Sequence, residues 1–221
     1  NSCTLVQAKH TAPQDFLYTR HYWYRSGTTA TMCKALADVA RAAELAVGTI
    51  QPSDVILDIG SNDGTLLRSY QAGIKVGVEP ATNLAEDGAR GVDVFINDFW
   101  SAEAYDRAWM YRPEMEDPGE AIIDSDWAGP ERYRRRAKIV TAIGMFYDLE
   151  DPNQFIADVA KVLAHDGVFI CQLMCLKQML RLGDVGNLAH EHLEFYSLWS
   201  LWHLFDRHGL IMCDIEENDV N

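Results

Sequence analysis

The sequence predicts an α/β fold with a doubly wound, mostly parallel sheet. From residue 54 onward, short apolar segments typical of strands alternate with amphipathic segments typical of helices. The strand segments are continuous apolar runs, the pattern of strands buried on both faces of a parallel sheet. A chain of 221 residues with 48% hydrophobic residues is sufficient to bury one such domain. We therefore expect ligands to bind beyond the carboxyl ends of the strands.

The individual elements follow in order along the chain. A helix is predicted over 29–47, where apolar residues recur every three or four positions, with Thr28 or Thr29 as its N-cap and Gly48 at its end. The predicted strands are Val55–Ile59, Ile74–Val78, 92–96, Ala137–Ile143, 167–173 and 210–215. Further helices are predicted over 64–70, 82–89, around 155–163, and over 197–208 with Ser197 as N-cap and Gly209 beyond its end.

The chain divides into a lead-in over residues 1–28 and a core over 29–221. The lead-in is rich in aromatic and polar residues, and we expect it to be irregular. An acidic stretch at about 100–136 interrupts the alternation of strands and helices and is long for a single crossover connection. We interpret it as an irregular, solvated surface excursion, with a lid or a partner-binding insertion as the alternative.

Charge and composition exclude several classes of protein. A formal net charge of −14 repels phosphate backbones, so we expect no nucleic acid partner. No apolar run has the length of a membrane span, and no signal peptide is present, so no membrane partner is expected. The five cysteines are scattered, and Cys171, Cys175 and Cys213 lie in apolar surroundings typical of buried free thiols. These features predict a cytoplasmic protein that acts on a small molecule.

The turn after Val55–Ile59 carries most of the functional information. Gly60 and Gly64 permit a tight turn in which a ligand approaches bare backbone, and Asn62 tolerates a left-handed conformation. A dinucleotide site has the pattern G-x-G-x-x-G, but Asn62 stands at its second glycine. Asp58 and Asp63 oppose a pyrophosphate and suit a ligand that carries an ammonium and a sulfonium.

Acids also follow the next two predicted strands. Glu79 lies 19 residues after Gly60, close to the offset of about 20 residues at which an acid reaches ribose hydroxyls in dinucleotide folds. Asp98 accepts from an adenine amine in this interpretation, and the ring of Phe99 packs on the base. A single acid at a strand end is usually a solvated turn residue, but three in register favour a binding site.

The pattern Asp58-x-Gly60-x-x-x-Gly64, together with Glu79 and Asp98, resembles the class I S-adenosylmethionine-dependent methyltransferases. The resemblance implies a Rossmann-like sheet and S-adenosylmethionine as the cofactor. It implies that Gly60, Asn62 and Gly64 form the cofactor turn, and that Asp58 supports this turn or faces the ammonium. Tyr24 and Ser26 are then expected to close over the methionine end.

A second cluster, His190, Glu191 and His192, precedes the last predicted helix on the ligand side of the sheet. One interpretation is a structural cluster that caps the helix. A metal site is another, but the helical H-E-x-x-H spacing is absent and we expect no metal. The third is an acid–base pair for catalysis.

Four stretches resemble a narrower family, the sugar C-methyltransferases that act on nucleotide-linked deoxysugars: residues 22–27, 145–152, 190–197 and 217–221. The resemblance implies that His192, beside Glu191, removes a proton next to a ketone and that the enolate carbon takes the sulfonium methyl. Gln172, Tyr147 and His190 are expected to contact this substrate.

In that family an N-terminal zinc module and a C-terminal domain flank the core. Cys3 resembles the end of the zinc module, and one cysteine cannot build a tetrahedral site, so we expect a core truncated at both ends and without zinc. Ala189 replaces a frequent tyrosine of the family. That change favours a binding module without catalysis as the alternative function, and a nicotinamide-dependent oxidoreductase is a further one.

Overall fold

The computed structural model describes residues 4–110, 135–189 and 191–218. Its strands are β1 (Val6–Gln7), β2 (Val55–Ile59), β3 (Ile74–Val78), β4 (Val94–Ile96), β5 (Ala137–Ile143), β6 (Leu163–Gln172) and β7 (Glu194–Phe195). Its α-helices are α1 (Gln14–Tyr18), α2 (Ala30–Val47), α3 (Ala85–Gly88), α4 (Ala102–Met110), α5 (Pro152–Val162), α6 (Leu176–Leu182) and α7 (Leu198–Arg207).

Five strands form a parallel sheet in the order β4-β3-β2-β5-β6. The chain builds outward from β2 to β4 and then returns to the other side of β2, so the switch in strand order lies between β2 and β5. In register, Ile59 pairs with Val78 and Ile143 pairs with Gln172. The carboxyl ends of four strands therefore meet at one edge, and the predicted α/β class with a doubly wound parallel sheet is confirmed.

The sheet is buried on both faces, as its continuous apolar strands predict. In β2, Val55, Leu57 and Ile59 pack into a cluster with α4, α5 and α7, whereas Ile56 packs into a second cluster with α2. Successive strand residues point to opposite faces, so a strand covered on both sides has no polar alternation.

The predictions at helix ends have mixed outcomes. α7 follows a capping box in which Ser197 and Ser200 exchange side-chain to main-chain bonds, as the N-cap prediction requires. The helix predicted over 64–70 is wrong, because Gly64 has φ 76° and the chain then forms a 3₁₀ turn over Leu67–Ser69. The helix predicted over 82–89 is shorter, since it opens with a 3₁₀ turn before α3.

The predicted strand over 210–215 is also wrong. Residues 210–218 have no regular secondary structure and do not pair with β6. Ile211 is 87% exposed and Cys213 is exposed, so the expectation of a buried thiol at Cys213 is wrong too. An apolar run without a hydrogen-bonding neighbour does not form a strand.

The lead-in and the acidic stretch contain more structure than expected. β1 pairs antiparallel with β7, and α1 follows β1 along the chain. The acidic stretch begins with α4, which is helical because Ala102, Tyr105 and Trp109 bury one face. Residues 111–134 of that stretch, His190 and Cys3 lie outside the described residues. Across the described ranges, no helix is long and apolar enough to cross a membrane.

Candidate functional site

The turn after β2 is held against the end of β3. The main-chain N–H groups of Gly60 and Ser61 both donate to the carbonyl of Val78, at 2.9 and 3.0 Å. Gly60 and Asn62 have positive φ, 71° and 51°. A side chain at Gly60 would bring its Cβ within 2.9 Å of Met145 Cγ, so only glycine leaves room for the Met145 side chain there.

Glu79 connects the next strand to this turn. Its Oε2 accepts from the main-chain N–H of Asn62 at 2.9 Å, and its Oε1 accepts from that of Ala81 at 2.8 Å. The side chain is buried, and burial raises its pKa while the two main-chain bonds oppose the rise. A carboxylate has about four lone-pair sites, so the two bonds fix the group and leave acceptor capacity for ligand hydroxyls.

Asn62 and Asp63 attach the lead-in to the turn. The amide oxygen of Asn62 accepts from the N–H of Ser26 at 2.9 Å, and its amide nitrogen donates to the carbonyl of Tyr24 at 3.1 Å. Asp63 accepts from the N–H of Gly27 at 2.8 Å. The two polar residues of the turn therefore position the segment that carries Tyr24 and Ser26.

Two adjoining clefts open at this edge of the sheet. The first, of about 460 Å³, includes Asp58, Tyr147, Gln172, Glu191 and His192, and we call it the His192 cleft. The second, of about 370 Å³, includes Glu79 and Phe99, and we call it the Glu79 cleft. The residues that line both are Tyr18, Tyr22, Tyr24, Ser26, Gly60, Ile143, Gly144 and Asp148.

The charges that line the clefts have one sign. Among the described residues, the walls contain no lysine or arginine. Their carboxyl groups are those of Asp58, Glu79, Asp148, Glu150, Asp151, Asp158 and Glu191. Because carboxylates repel a pyrophosphate and attract a cation, these walls favour a positively charged ligand.

Asp58, near the end of β2, is buried below the turn. Its Oδ1 accepts from the hydroxyl of Thr141 on β5 at 2.6 Å. Burial raises the pKa of Asp58 to about 7, the Thr141 bond opposes the rise, and the charge of Glu79 adds to it. Asp58 thus changes charge near neutral pH beside the cofactor turn.

His192 is oriented by main chain. Its Nδ1 lies 2.9 Å from the carbonyl of Asn187. A carbonyl oxygen can only accept, so Nδ1 carries the hydrogen and Nε2 has the free lone pair when the ring is neutral. The ring of Tyr147 packs edge-on against the imidazole, with centroids 4.8 Å apart. This arrangement presents a basic nitrogen from a fixed ring.

The residues predicted from sequence distribute over the two clefts. Asn62, Glu79 and Phe99 line the Glu79 cleft, and Asp58, Tyr147, Gln172, Glu191 and His192 line the His192 cleft. Tyr24, Ser26 and Gly60 line both.

Of the predicted residues that the structure describes, two line neither cleft. Gly64 faces the other way, where a Cβ would lie 2.9 Å from the carbonyl oxygen of Gly88. The side chain of Asp98 is 54% exposed and lies 3.7 Å from Arg107. Their assigned roles, like those of the other site residues, stay predictions.

Asp148 was not among the site residues predicted from the sequence. It follows β5 at the end of a 3₁₀ turn, Phe146–Asp148, and lines both clefts. Burial raises its pKa to about 8, the charge of Glu191 adds to the rise, and a hydrogen bond from Tyr18 opposes it. The available signal was its place after the fourth predicted strand, in the stretch 145–152.

Comparisons with known proteins agree with this geometry. A family model described as a methyltransferase domain matches residues 24–213. The C-methyltransferase NovU of Streptomyces niveus is 28% identical over 222 residues, which are 99% of this chain and 47% of that protein. The chain therefore spans about half the length of this curated relative.

Solved structures share the fold at low identity. The cyclopropane synthase MmaA2 from Mycobacterium tuberculosis superposes with a TM-score of 0.51 at 16% identity, over 90% of this chain and 68% of that one. The mycolic acid cyclopropane synthase CmaA1, complexed with SAH and CTAB, gives 0.52 at 15% identity over the same shares. The chain belongs to the methyltransferase domain family, and S-adenosylmethionine is its cofactor.

Proposed function

We propose that this domain methylates a carbon atom of a small keto substrate, the sugar part of a nucleotide-linked deoxysugar or a similar molecule, and that His192 generates the enolate that accepts the methyl group. The observation that carries the proposal is the bond from His192 Nδ1 to the Asn187 carbonyl, which leaves Nε2 as a base in the cleft that adjoins the cofactor turn. A carbon acceptor also agrees with the relative that is named a C-methyltransferase.

The residues at the clefts fit the cofactor. Gly60 lines both clefts, and Glu79 has acceptor capacity for ribose hydroxyls beside Phe99 for the base. Asp58 lies on the other side of the turn, where the amino-acid portion of the cofactor would extend. When bound, S-adenosylmethionine supplies an electrophilic methyl group that a carbon nucleophile can take.

The chain's own residues then generate the nucleophile, which is the enolate carbon of the substrate. Neutral His192 takes a proton from the carbon beside the ketone and becomes an imidazolium, and the ketone oxygen gains the negative charge. Gln172 and Tyr147 line the same cleft and are placed in this proposal to orient the sugar. A positioned base of this kind contributes about 10² to 10⁴ in rate.

Deuterium exchange tests the base directly. With a nucleotide-linked keto-deoxysugar in heavy water, the parent protein is expected to exchange the carbon-bound proton next to the ketone, and His192→Gln is expected to slow this exchange by at least about a hundredfold. His165→Gln is the matched control, because His165 is exposed on β6 and lines neither cleft. Exchange at the parent rate in His192→Gln would eliminate His192 as the base.

Methyl transfer to the same sugar, followed by mass spectrometry, tests the overall reaction. Binding of S-adenosylmethionine without either exchange or transfer would support the alternative of a binding module without catalysis.

A further inference from the structure

We propose that Asp148 discriminates the sulfonium of S-adenosylmethionine from the neutral sulfur of the product S-adenosylhomocysteine, by placing its carboxylate beside the cationic sulfur. The assignment rests on the proposed function for the cofactor and for its orientation across the two clefts, and it does not depend on the identity of the acceptor.

The position of Asp148 is the first step. Its Oδ1 is buried and accepts no hydrogen bond from the described residues. Such an oxygen has lost water without gaining a partner, an arrangement that costs free energy unless a ligand completes it. The cleft walls in the described chain contain no lysine or arginine to pair with the ionised form of Asp148, and a cationic ligand would supply that charge.

The two clefts indicate which part of the cofactor lies beside Asp148. Glu79 and Phe99 mark the nucleoside side, and Asp58 marks the amino-acid side. The sulfur atom joins these two halves of the cofactor. Asp148 lines both clefts, together with Gly60 and Gly144, and is therefore a wall residue of the junction where the sulfur would lie.

The junction has a second feature that suits a cation. Tyr18, Tyr22 and Tyr24 also line both clefts, and the rings of Tyr18 and Tyr22 are 5.8 Å apart. The faces of aromatic rings attract cations. An aromatic wall beside a carboxyl group with one unpaired oxygen favours a sulfonium over a neutral thioether.

The third step is the effect of pH. The groups that act on Asp148 are Tyr18 of α1, Tyr22 of the lead-in, Tyr147 of its own turn and Glu191. The clefts add Asp58, Glu79 and His192. Burial raises the pKa of Asp148 to about 8, so the unliganded group holds a proton at neutral pH. A sulfonium favours the ionised form and expels that proton, so the donor binds more tightly as the pH rises toward 8.

Calorimetric titration of S-adenosylmethionine and S-adenosylhomocysteine at pH 6.5 and 8.5 tests the assignment without any acceptor. The quantity compared is the ratio of the two dissociation constants, because both ligands share the nucleoside and the amino-acid groups. In the parent protein we expect the preference for the donor to increase about tenfold between the two pH values. Asp148→Asn is expected to abolish that increase.

Asp206→Asn is the matched control, since Asp206 is exposed on α7 and lines neither cleft. It is expected to behave like the parent. An Asp148→Asn protein that keeps the parent ratio at both pH values would overturn the assignment and leave the proposed function standing. A parent protein that binds neither ligand would overturn both.

A second variant guards against misfolding of Asp148→Asn. Tyr18→Phe removes a hydrogen bond that lowers the pKa of Asp148, so the pH midpoint of the donor preference is expected to move upward. A midpoint that does not move, in a Tyr18→Phe protein with the parent circular dichroism spectrum, contradicts the role of Asp148.

Discussion

The main-chain N–H of Asn62 donates to Oε2 of Glu79 at 2.9 Å, across 17 residues of sequence. This bond joins the turn after β2 to the end of β3 and fixes the carboxylate in the wall of the Glu79 cleft. The same carboxylate accepts from Ala81 on its other oxygen, so one side chain satisfies two buried donors.

Glu79→Ala is expected to damage both folding and binding. It removes the acceptor of two buried N–H groups, which costs about 1–3 kcal/mol in the free energy of unfolding. It also removes the proposed ribose contact, and we expect the affinity for S-adenosylmethionine to fall about ten- to a hundredfold. Urea unfolding and calorimetry measure the two effects. Glu86→Ala is the control, since Glu86 is exposed, with its carboxylate 4.0 Å from Arg90; an equal loss in both variants would contradict the prediction.

Asn62→Gly is expected to release the lead-in while keeping the backbone of the turn. Glycine adopts the φ of 51° without strain but cannot make the bonds to Tyr24 and Ser26. Hydrogen exchange should show the Ser26 amide exchanging about ten times faster, the equivalent of roughly 1 kcal/mol of lost protection.

Asn83→Ala is the companion variant, because the Asn83 side chain accepts from the N–H of Tyr22 and donates to its carbonyl. It should accelerate exchange at Tyr22 and leave Ser26 protected. Unchanged exchange of Ser26 in Asn62→Gly would show that other contacts hold this segment.

Asp58→Asn is expected to change how stability depends on pH. Burial raises the pKa of Asp58 to about 7 in the folded chain, above its value of 3.8 in model compounds. A carboxyl group whose pKa is higher in the folded chain than in the unfolded chain stabilises the fold when it is protonated. This contribution to the free energy of unfolding is complete below pH 3.8 and is lost as the pH rises through about 7. Asparagine does not titrate, so the free energy of unfolding of the variant should rise relative to that of the parent between pH 4 and 7, by about 4 kcal/mol at most.

Urea unfolding of both proteins at pH 4, 5.5 and 8 measures the difference. The carbonyl oxygen of asparagine can still accept from Thr141, so the hydrogen bond is a constant in the comparison. A difference that is the same at pH 4 and 8 would mean that Asp58 does not titrate in this range.

Gly60→Ala separates crowding from backbone strain when it is compared with Gly48→Ala. Both glycines have positive φ, 71° and 78°, so alanine is strained at both. At Gly60 the new Cβ also meets Met145 at 2.9 Å, whereas at Gly48 nothing lies within 4 Å. We expect about 1–2 kcal/mol of destabilisation at each site from strain, but loss of cofactor binding at Gly60 alone. Normal binding by Gly60→Ala would show that the cofactor does not approach this backbone.

Strand positions were the part of the fold that sequence predicted best. Val55–Ile59, Ile74–Val78 and Ala137–Ile143 are mostly apolar runs bounded by polar residues or glycine, and the structure has the same bounds. Their burial on both faces is a local signal, because every residue of such a strand must be apolar or paired. The cap of α7 was equally local, since Ser197 and Ser200 bind within one turn.

Relations that depend on tertiary contacts were not predictable. Gly64 was assigned to the cofactor turn, but its open side faces Gly88 and Arg68, which belong to neighbouring segments. Asn62 was assigned for its backbone conformation, yet its side chain is committed to the lead-in. Asp148 carries no motif of its own, and its burial depends on tertiary contacts, among them that with Tyr18 of α1.

The lead-in has a kinetic consequence. α1 has no buried residue, and the segment after it is attached to the core through the polar contacts of Asn62, Asp63 and Asn83. Its tyrosines nevertheless form a shared wall of both clefts. We expect S-adenosylhomocysteine to be exchanged for S-adenosylmethionine when this segment moves away from the clefts, while the sheet beneath it keeps its packing.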